Sequence, residues 1–169
     1  MKTLILYASF HGVTTKCVEE LSKRLGKPVD VVQLTSGTGP DLSKYSEVLL
    51  GSSVQAGSLH KKLRAFCDTN KEALLTKKLG LFVCCMDDDN PLGYLQKGLP
   101  EALVRHATVL AKIGGGYFFS NMNILMRAMF KKVVSDEVAK GKLPAAFDGK
   151  NDAFVINEEG MAKLAAAFG

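Results

Sequence analysis

The stretch Thr3-Leu4-Ile5-Leu6-Tyr7-Ala8-Ser9-Phe10-His11-Gly12-Val13-Thr14-Thr15-Lys16 decides how the chain is read. Its first half is a continuous apolar run, as expected of a strand covered on both faces rather than one with a wet face. Its second half places hydroxyls at Ser9, Thr14 and Thr15 around Gly12 and opens a helical period, with Val13, Cys17, Leu21 and Leu25 four apart. A buried strand that turns straight into a helix leaves unpaired N–H groups and the positive end of a helix dipole at the turn. That arrangement suits a phosphate monoester. The Walker A spacing G-x-x-x-x-G-K-[ST] and the dinucleotide fingerprint G-x-G-x-x-G are both absent from this turn.

Four further apolar runs repeat the strand signal at residues 29–34, 48–51, 79–85 and 108–113. Helical patterns separate them: residues 14–25, a short helix capped by Asp41 and reaching about Tyr45, residues 58–75, and a helix from Pro100 to about His106. The alternation predicts an α/β fold, a doubly wound five-stranded parallel sheet of order 2-1-3-4-5 with right-handed crossovers. Residues 121 to about 137 read as an extra helix after strand five, apolar around much of its circumference, with Arg127, Lys131 and Lys132 interspersed. Its expected role is to complete the core; the alternative is to rest on a membrane surface or to dock a quinone-linked partner. A loop with Gly141, Pro144 and Gly149 follows, then a closing helix at residues 157–168 with Asn157 as N-cap.

Composition agrees with an ordinary folded protein. Of 169 residues, 47% are hydrophobic and 23% charged, which excludes intrinsic disorder and a disulfide-dependent miniature scaffold. No apolar run approaches the ~18–20 residues of a membrane span, and the first residues do not form a secretory signal. The expectation is a single domain over residues 1–169 in the cytoplasm. The net charge of +5 arises wholly from residues 1–86, which hold 12 basic and 7 acidic residues against 10 and 10 in residues 87–169. Such a surplus favours anionic partners, with solvated helix faces as the plainer explanation; nucleic acid is not expected. Cys17, Cys67, Cys84 and Cys85 form no C-x-x-C pair and have no His at zinc-ligand spacing, so no metal is expected and buried thiols are the default, with a redox role for Cys84 and Cys85 as the alternative.

In an open α/β sheet the ligand crevice lies beyond the carboxyl ends of the strands, at the switch point. For order 2-1-3-4-5 this selects three loops. The first is Ser9, Phe10, His11, Gly12, Val13, Thr14 and Thr15. The second, Ser52, Ser53, Val54, Gln55, Ala56 and Gly57, is small and polar enough to let backbone approach a flat ligand. The third begins Met86-Asp87-Asp88-Asp89 and reaches Tyr94; its carboxylates, with no His nearby, read as a solvated acidic loop.

The pattern S-x-H-G-x-T-T at residues 9–15 resembles the phosphate loop [ST]-x-[ST]-G-x-T of the flavodoxin family, departing from it at His11. Within flavodoxin-like proteins the chain is similar to the bacterial menaquinone-dependent protoporphyrinogen oxidase group and its flavodoxin-domain relatives. The likeness runs through K-T-L-I-L-Y, Gly51-Ser52-Ser53-Val54 to His60, Gly114-Gly115, the helix near residues 124–133 and the terminal helix. It implies a non-covalent FMN that transfers electrons or hydride. The phosphate would lie on residues 9–15, the isoalloxazine between the loops starting at Ser52 and Met86, and Asp87 to Asp89 would lower the flavin potential. The implied partner is a redox protein or quinone, with peripheral contact at the inner face of the membrane. Ala56 and Leu59 stand where that group carries aromatics, leaving Tyr94 as the nearest aromatic after strand four. The connection between strands four and five is shorter and more acidic than the oxidase insert, so FMN binding rests on loops that match and porphyrinogen oxidation on one that does not. A phosphoacceptor receiver domain is rejected, because Ala8-Ser9 and Gly51-Ser52 replace the acidic residues it needs. A flavodoxin-fold binding module without cofactor is the remaining alternative.

Overall fold

The computed structural model describes residues 2–169. Among these the chain forms β1 (Lys2–Ala8), α1 (Val13–Arg24), β2 (Val29–Gln33), β3 (Tyr45–Gln55), β4 (Ser58–Leu59), α2 (Lys61–Thr69), α3 (Lys71–Leu74), β5 (Lys78–Cys84), α4 (Gly93–Gly98), α5 (Glu101–His106), β6 (Val109–Tyr117), α6 (Ile124–Ala139), β7 (Ala153–Ile156) and α7 (Glu158–Phe168). Single 3-10 turns lie at Leu42–Lys44 and Phe119–Asn121. The strands join in the order β2-β1-β3-β5-β6-β7, with β4 folded back on β3. β2, β1, β3, β5 and β6 are parallel neighbours. Counted alone, they have the expected order 2-1-3-4-5.

Two strands were not expected. β7 runs antiparallel along β6, pairing Gly114 with Ile156 through Tyr117 with Ala153. Two glycines on β6 permit this close pairing: a Cβ on Gly114 would lie 2.5 Å from Val155 O, and one on Gly116 would lie 2.3 Å from Ala153 O. The other is β4, which replaces the start of the helix expected at residues 58–75. Val54 pairs with Leu59 and Gln55 with Ser58 across a turn at Ala56-Gly57, so the helix begins only after His60, whose Nδ1 accepts from Lys62 N at 3.2 Å. The remainder of that helix is interrupted at Asn70.

Apolar side chains cover both faces of the sheet. Leu63, Phe66, Leu95 and Leu103 from α2, α4 and α5 meet Leu4, Leu6, Leu50 and Leu81 on one face. Cys17 and Leu21 from α1, with Met161, Leu164 and Phe168 from α7, meet Ile5, Leu49 and Phe82 on the other. The expected caps form: Asp41 accepts from Ser43 N and Asn157 from Gly160 N.

α6 does not complete the core. It lies over a smaller cluster built on Phe119, Met122, Val134 and Phe147, and Val134 is its one fully buried residue among those described. Its outer side leaves Ile124 87%, Leu125 79%, Met129 56% and Val133 42% exposed. Leu125, Met129 and Val133 are four apart, so they form one apolar stripe. No helix among the described residues is long and apolar enough to cross a membrane.

Candidate functional site

β1 delivers the first loop to the carboxyl edge of the sheet, where local bonds fix its shape. Ser9 Oγ accepts from Gly12 N at 2.9 Å, and Phe10 N donates to Ser53 Oγ at 3.0 Å, tying the loop to β3. Gly12 caps α1 at φ 99°, a left-handed conformation that disfavours any side chain, and no side chain caps the helix. The N–H groups of Val13, Thr14 and Thr15 find no hydrogen-bond partner among the described residues. Thr14 is fully buried and its Oγ1 makes no hydrogen bond of normal length. Its hydroxyl lies close enough to the Cys84 thiol to influence that group. Thr15 Oγ1 accepts from Tyr7 OH at 3.1 Å. Both ring nitrogens of His11 are buried without a partner.

A distant segment covers this loop. Asn121 Nδ2 donates to His11 O at 2.7 Å, and a Cβ on Gly12 would lie 3.2 Å from Asn121 Nδ2 and 3.4 Å from the Phe118 ring. The 3-10 turn carrying Asn121 is itself held. Arg127 Nε donates to Phe119 O at 2.7 Å and Met122 O at 3.1 Å, its Nη2 donates to Ser120 O at 3.2 Å, and Ser120 N donates to Asp152 at 2.9 Å.

Beside the loop is a cavity of about 150 Å³. Ser9, Phe10, His11 and Val13 line one side and Ser53, Val54, Gln55 and Ala56 another, with Met86 after β5. Its remaining lining was not expected as site residues: Cys84 and Cys85 at the end of β5, Gly115, Gly116 and Tyr117 on β6, Phe118 beyond it, and Met122 and Phe130 near α6. No residue of the wall is an acid, lysine or arginine. Ala56 at φ 49° and Gly57 at φ 74° form two successive left-handed positions, as a tight hairpin turn requires. Alanine rarely adopts such a φ, so local strain lies at the cavity edge.

Other residues of the three loops lie off this wall. Ser52 is buried beneath it; its Oγ donates to Ser53 O at 2.7 Å and accepts from His60 N at 2.9 Å, closing the hairpin. Gly12, Thr14 and Thr15, at the start of α1, do not line it, and Gly57 faces a separate cleft shared with Tyr94. Tyr94 OH donates to Asp87 Oδ2 at 2.8 Å. That bond draws the Asp87 carboxyl below the usual range and pushes the Tyr94 phenol up to about 12. Asp87 and Asp88 instead line an open cleft with Val133, Glu137 and Leu143, adjoining the cavity through Met86 and Tyr117. Lys112 Nζ donates to Asp87 O at 3.0 Å and pairs with Asp88. Tyr117, Phe118 and Phe130 therefore provide aromatic surface in the cavity where Tyr94 does not. All four cysteines are buried free thiols. Burial pushes Cys84 well up and Cys85 to about 11, so neither ionises at neutral pH.

A flavodoxin-domain family model matches residues 4–143. The chain belongs to that family. None of the curated proteins matches it. Among solved structures it is similar to a flavoprotein from Lactobacillus acidophilus NCFM in complex with FMN, at 18% identity and TM-score 0.50 over 66% of this chain and 92% of that one. It is also similar to two-electron reduced Megasphaera elsdenii flavodoxin, at 17% identity and TM-score 0.50 over 65% and 82%. A third likeness is to rubredoxin oxygen:oxidoreductase from Desulfovibrio gigas, at 17% identity and TM-score 0.50. This match covers 66% of this chain and 30% of that one, so the chain spans less than a third of the Desulfovibrio protein. At these identities the likeness is one of fold.

Proposed function

We propose that this flavodoxin-domain protein holds FMN non-covalently and uses it for redox chemistry, with its phosphate at the start of α1. The observation that carries this is the set of unanswered donors there: the N–H groups of Val13, Thr14 and Thr15, and the buried Thr14 Oγ1. A phosphate monoester is a compact acceptor-only partner for that set, and the helix dipole adds to the attraction. The uncharged, partly aromatic cavity suits a flat ring, and Gly115 and Gly116 present backbone to it. Its enclosed 150 Å³ is smaller than the roughly 300–1,000 Å³ of typical ligand pockets, so part of a ring system would remain in the open mouth.

Bound FMN would supply one- or two-electron transfer. The chain's own contribution is to orient the ring between the Ser53–Ala56 segment and the aromatic side chains beyond β6, to limit water, and to keep Cys84 and Cys85 protonated beside it. Asp87 and Asp88 are in the neighbouring cleft, and Lys112 offsets part of their field, so their effect on the potential is weaker than a ring-side acidic loop would give.

The finer reading is a quinone-coupled porphyrinogen oxidase. The exposed stripe Leu125, Met129 and Val133 beside Lys132 favours a partner at an anionic membrane surface, where quinones reside. Co-sedimentation with anionic vesicles at low salt tests this contact, and absence of binding removes it. The primary test is the visible spectrum of the purified protein with FMN fluorescence titration. Flavin absorbance or saturable quenching is expected; the absence of both overturns the FMN reading. Anaerobic reduction with NADH or NADPH, followed by menaquinone and protoporphyrinogen IX, then separates plain electron transfer from the oxidase.

A further inference from the structure

We infer that His11 is the counter-charge of the ligand phosphate: it binds that phosphate as an imidazolium and takes up a proton as the ligand enters. The inference rests on the FMN reading above and adds a proton-coupled step to it.

His11 stands in the phosphate loop with Nδ1 and Nε2 both sealed from water and both unpaired. A buried polar group without a partner is costly. A neutral imidazole has one donor and one acceptor, whereas the imidazolium has two donors; only the charged form presents both nitrogens as donors to an anion. Asn121 occupies the backbone carbonyl of His11 and leaves the ring free.

The surroundings supply no other compensating charge. The start of α1 offers roughly half a positive charge from its dipole, whereas a phosphate monoester carries about −1.5 to −2 near neutral pH. No lysine or arginine lines the cavity. Lys16 on α1 pairs with Glu19 at 3.1 Å. Arg127 on α6 is engaged by the carbonyls of Phe119, Ser120 and Met122.

Other titratable groups facing the site from β5, β6 and the start of α2 are held neutral. Burial pushes Cys84, Cys85 and Tyr117 up. His60, whose ring lies 4.4 Å from that of Phe10, is pushed down by burial and then by Lys62 and Lys61. Asp87 and Asp88 face the adjoining cleft.

The test is calorimetric titration of the whole chain, stripped of flavin, with FMN in buffers of different ionisation enthalpy at about pH 7–8.5, above the phosphate's own second pKa of about 6. Wild type should take up roughly half to one proton per FMN, so its Kd should weaken about five- to thirtyfold across that range. Riboflavin, which has no phosphate, should bind without proton uptake. His11→Gln should bind FMN with little proton uptake and a flatter pH dependence. Equal uptake in wild type and His11→Gln overturns the inference. Tight FMN binding with no uptake also overturns it while leaving the FMN reading intact, and failure to bind FMN at all removes both. NMR of the His11 ring in wild type provides a check independent of the variant's folding: conversion to imidazolium on adding FMN supports the inference, and an unchanged neutral ring overturns it.

Discussion

Replacing Thr14 by valine should make the ligand-free protein more stable and the FMN complex weaker. Thr14 is fully buried and its Oγ1 has no normal hydrogen bond. Valine preserves the shape almost entirely and has a similar helix propensity, so the main change is removal of a buried, unanswered hydroxyl. Such a group costs about 1–3 kcal/mol; the nearby Cys84 thiol is a weak partner, which puts the expected gain at about 1–2 kcal/mol. For a chain of this length that raises Tm by roughly 2–8 °C. The loss on the other side is one hydrogen bond to a charged phosphate, about 1.5–3 kcal/mol, or roughly a 10- to 150-fold weaker Kd. Thermal unfolding of flavin-free protein and FMN fluorescence titration measure the two halves. A lower Tm for ligand-free Thr14→Val would mean that the hydroxyl is already satisfied. An unchanged FMN Kd would mean that it does not meet the phosphate. Either result refutes the reasoning.

Gly115→Ala should be destabilising, because its Cβ would lie 2.2 Å from Cys85 O and 2.6 Å from the carbonyl carbon, so β5 and β6 must part. A loss of about 1–3 kcal/mol is expected by denaturant unfolding, together with weaker FMN binding at the parted strand ends. Glu47 is held by Lys27 at 2.6 Å, Thr3 at 2.6 Å and Lys78 at 3.1 Å; burial alone would raise its pKa, but these bonds outweigh it and bring the carboxyl to about 2. Because the folded pKa is depressed, the stabilisation is present above the ordinary 4.5 and is lost as pH falls towards 2. Glu47→Gln should therefore cost on the order of 2–3 kcal/mol at neutral pH, less what solvent screening removes, with the Tm gap from wild type closing over that acid window. Tyr94→Phe should let the Asp87 carboxyl rise towards its usual pKa by removing the phenol donor, as carboxyl NMR titration would register, with little effect on FMN affinity because Tyr94 is off the cavity.

The order of the parallel strands was legible because each carries its own signal: an apolar run too continuous for a half-wet strand, followed by a helix with its own cap. Asp41 and Asn157 cap the turns they were expected to cap, since a side chain two or three residues from its target needs no tertiary information. β7 had no such signal. Ala153 to Ile156 is too short to stand out, and it becomes a strand only because the glycines of β6 let it approach. β4 was hidden because Ala56 accepts a φ more usual for glycine, so the turn does not show in composition.

The site divides along the same line. Ser9, Phe10, His11, Val13 and Ser53 to Ala56 reach the cavity at strand ends, where the fold must place its loops, and Met86 follows from the same rule. Tyr117, Phe118, Asn121, Met122 and Phe130 arrive from a segment more than 100 residues beyond the phosphate loop. Asn121, Met122 and Phe130 fall in the expected extra helix, Tyr117 and Phe118 fall between it and the strand expected at residues 108–113, and no local pattern ties Asn121 to His11. Cys84 and Cys85 were read correctly as buried thiols, but their position against the cavity depends on where β5 stops.

The glycine run on β6 also bears on how this pocket could change. On that side the boundary is main chain, and the first carbon of a side chain at Gly115 collides with the carbonyl of Cys85. Single substitutions there disturb the scaffold before they reshape the cavity. Tyr117, Phe118, Met122 and Phe130 form the opposite kind of boundary, made of side chains that can be exchanged in size while the strands stay in place. Altered ligand preference, whether by drift or by design, is therefore most accessible from the α6 side, the part of the site that the phosphate loop reveals least.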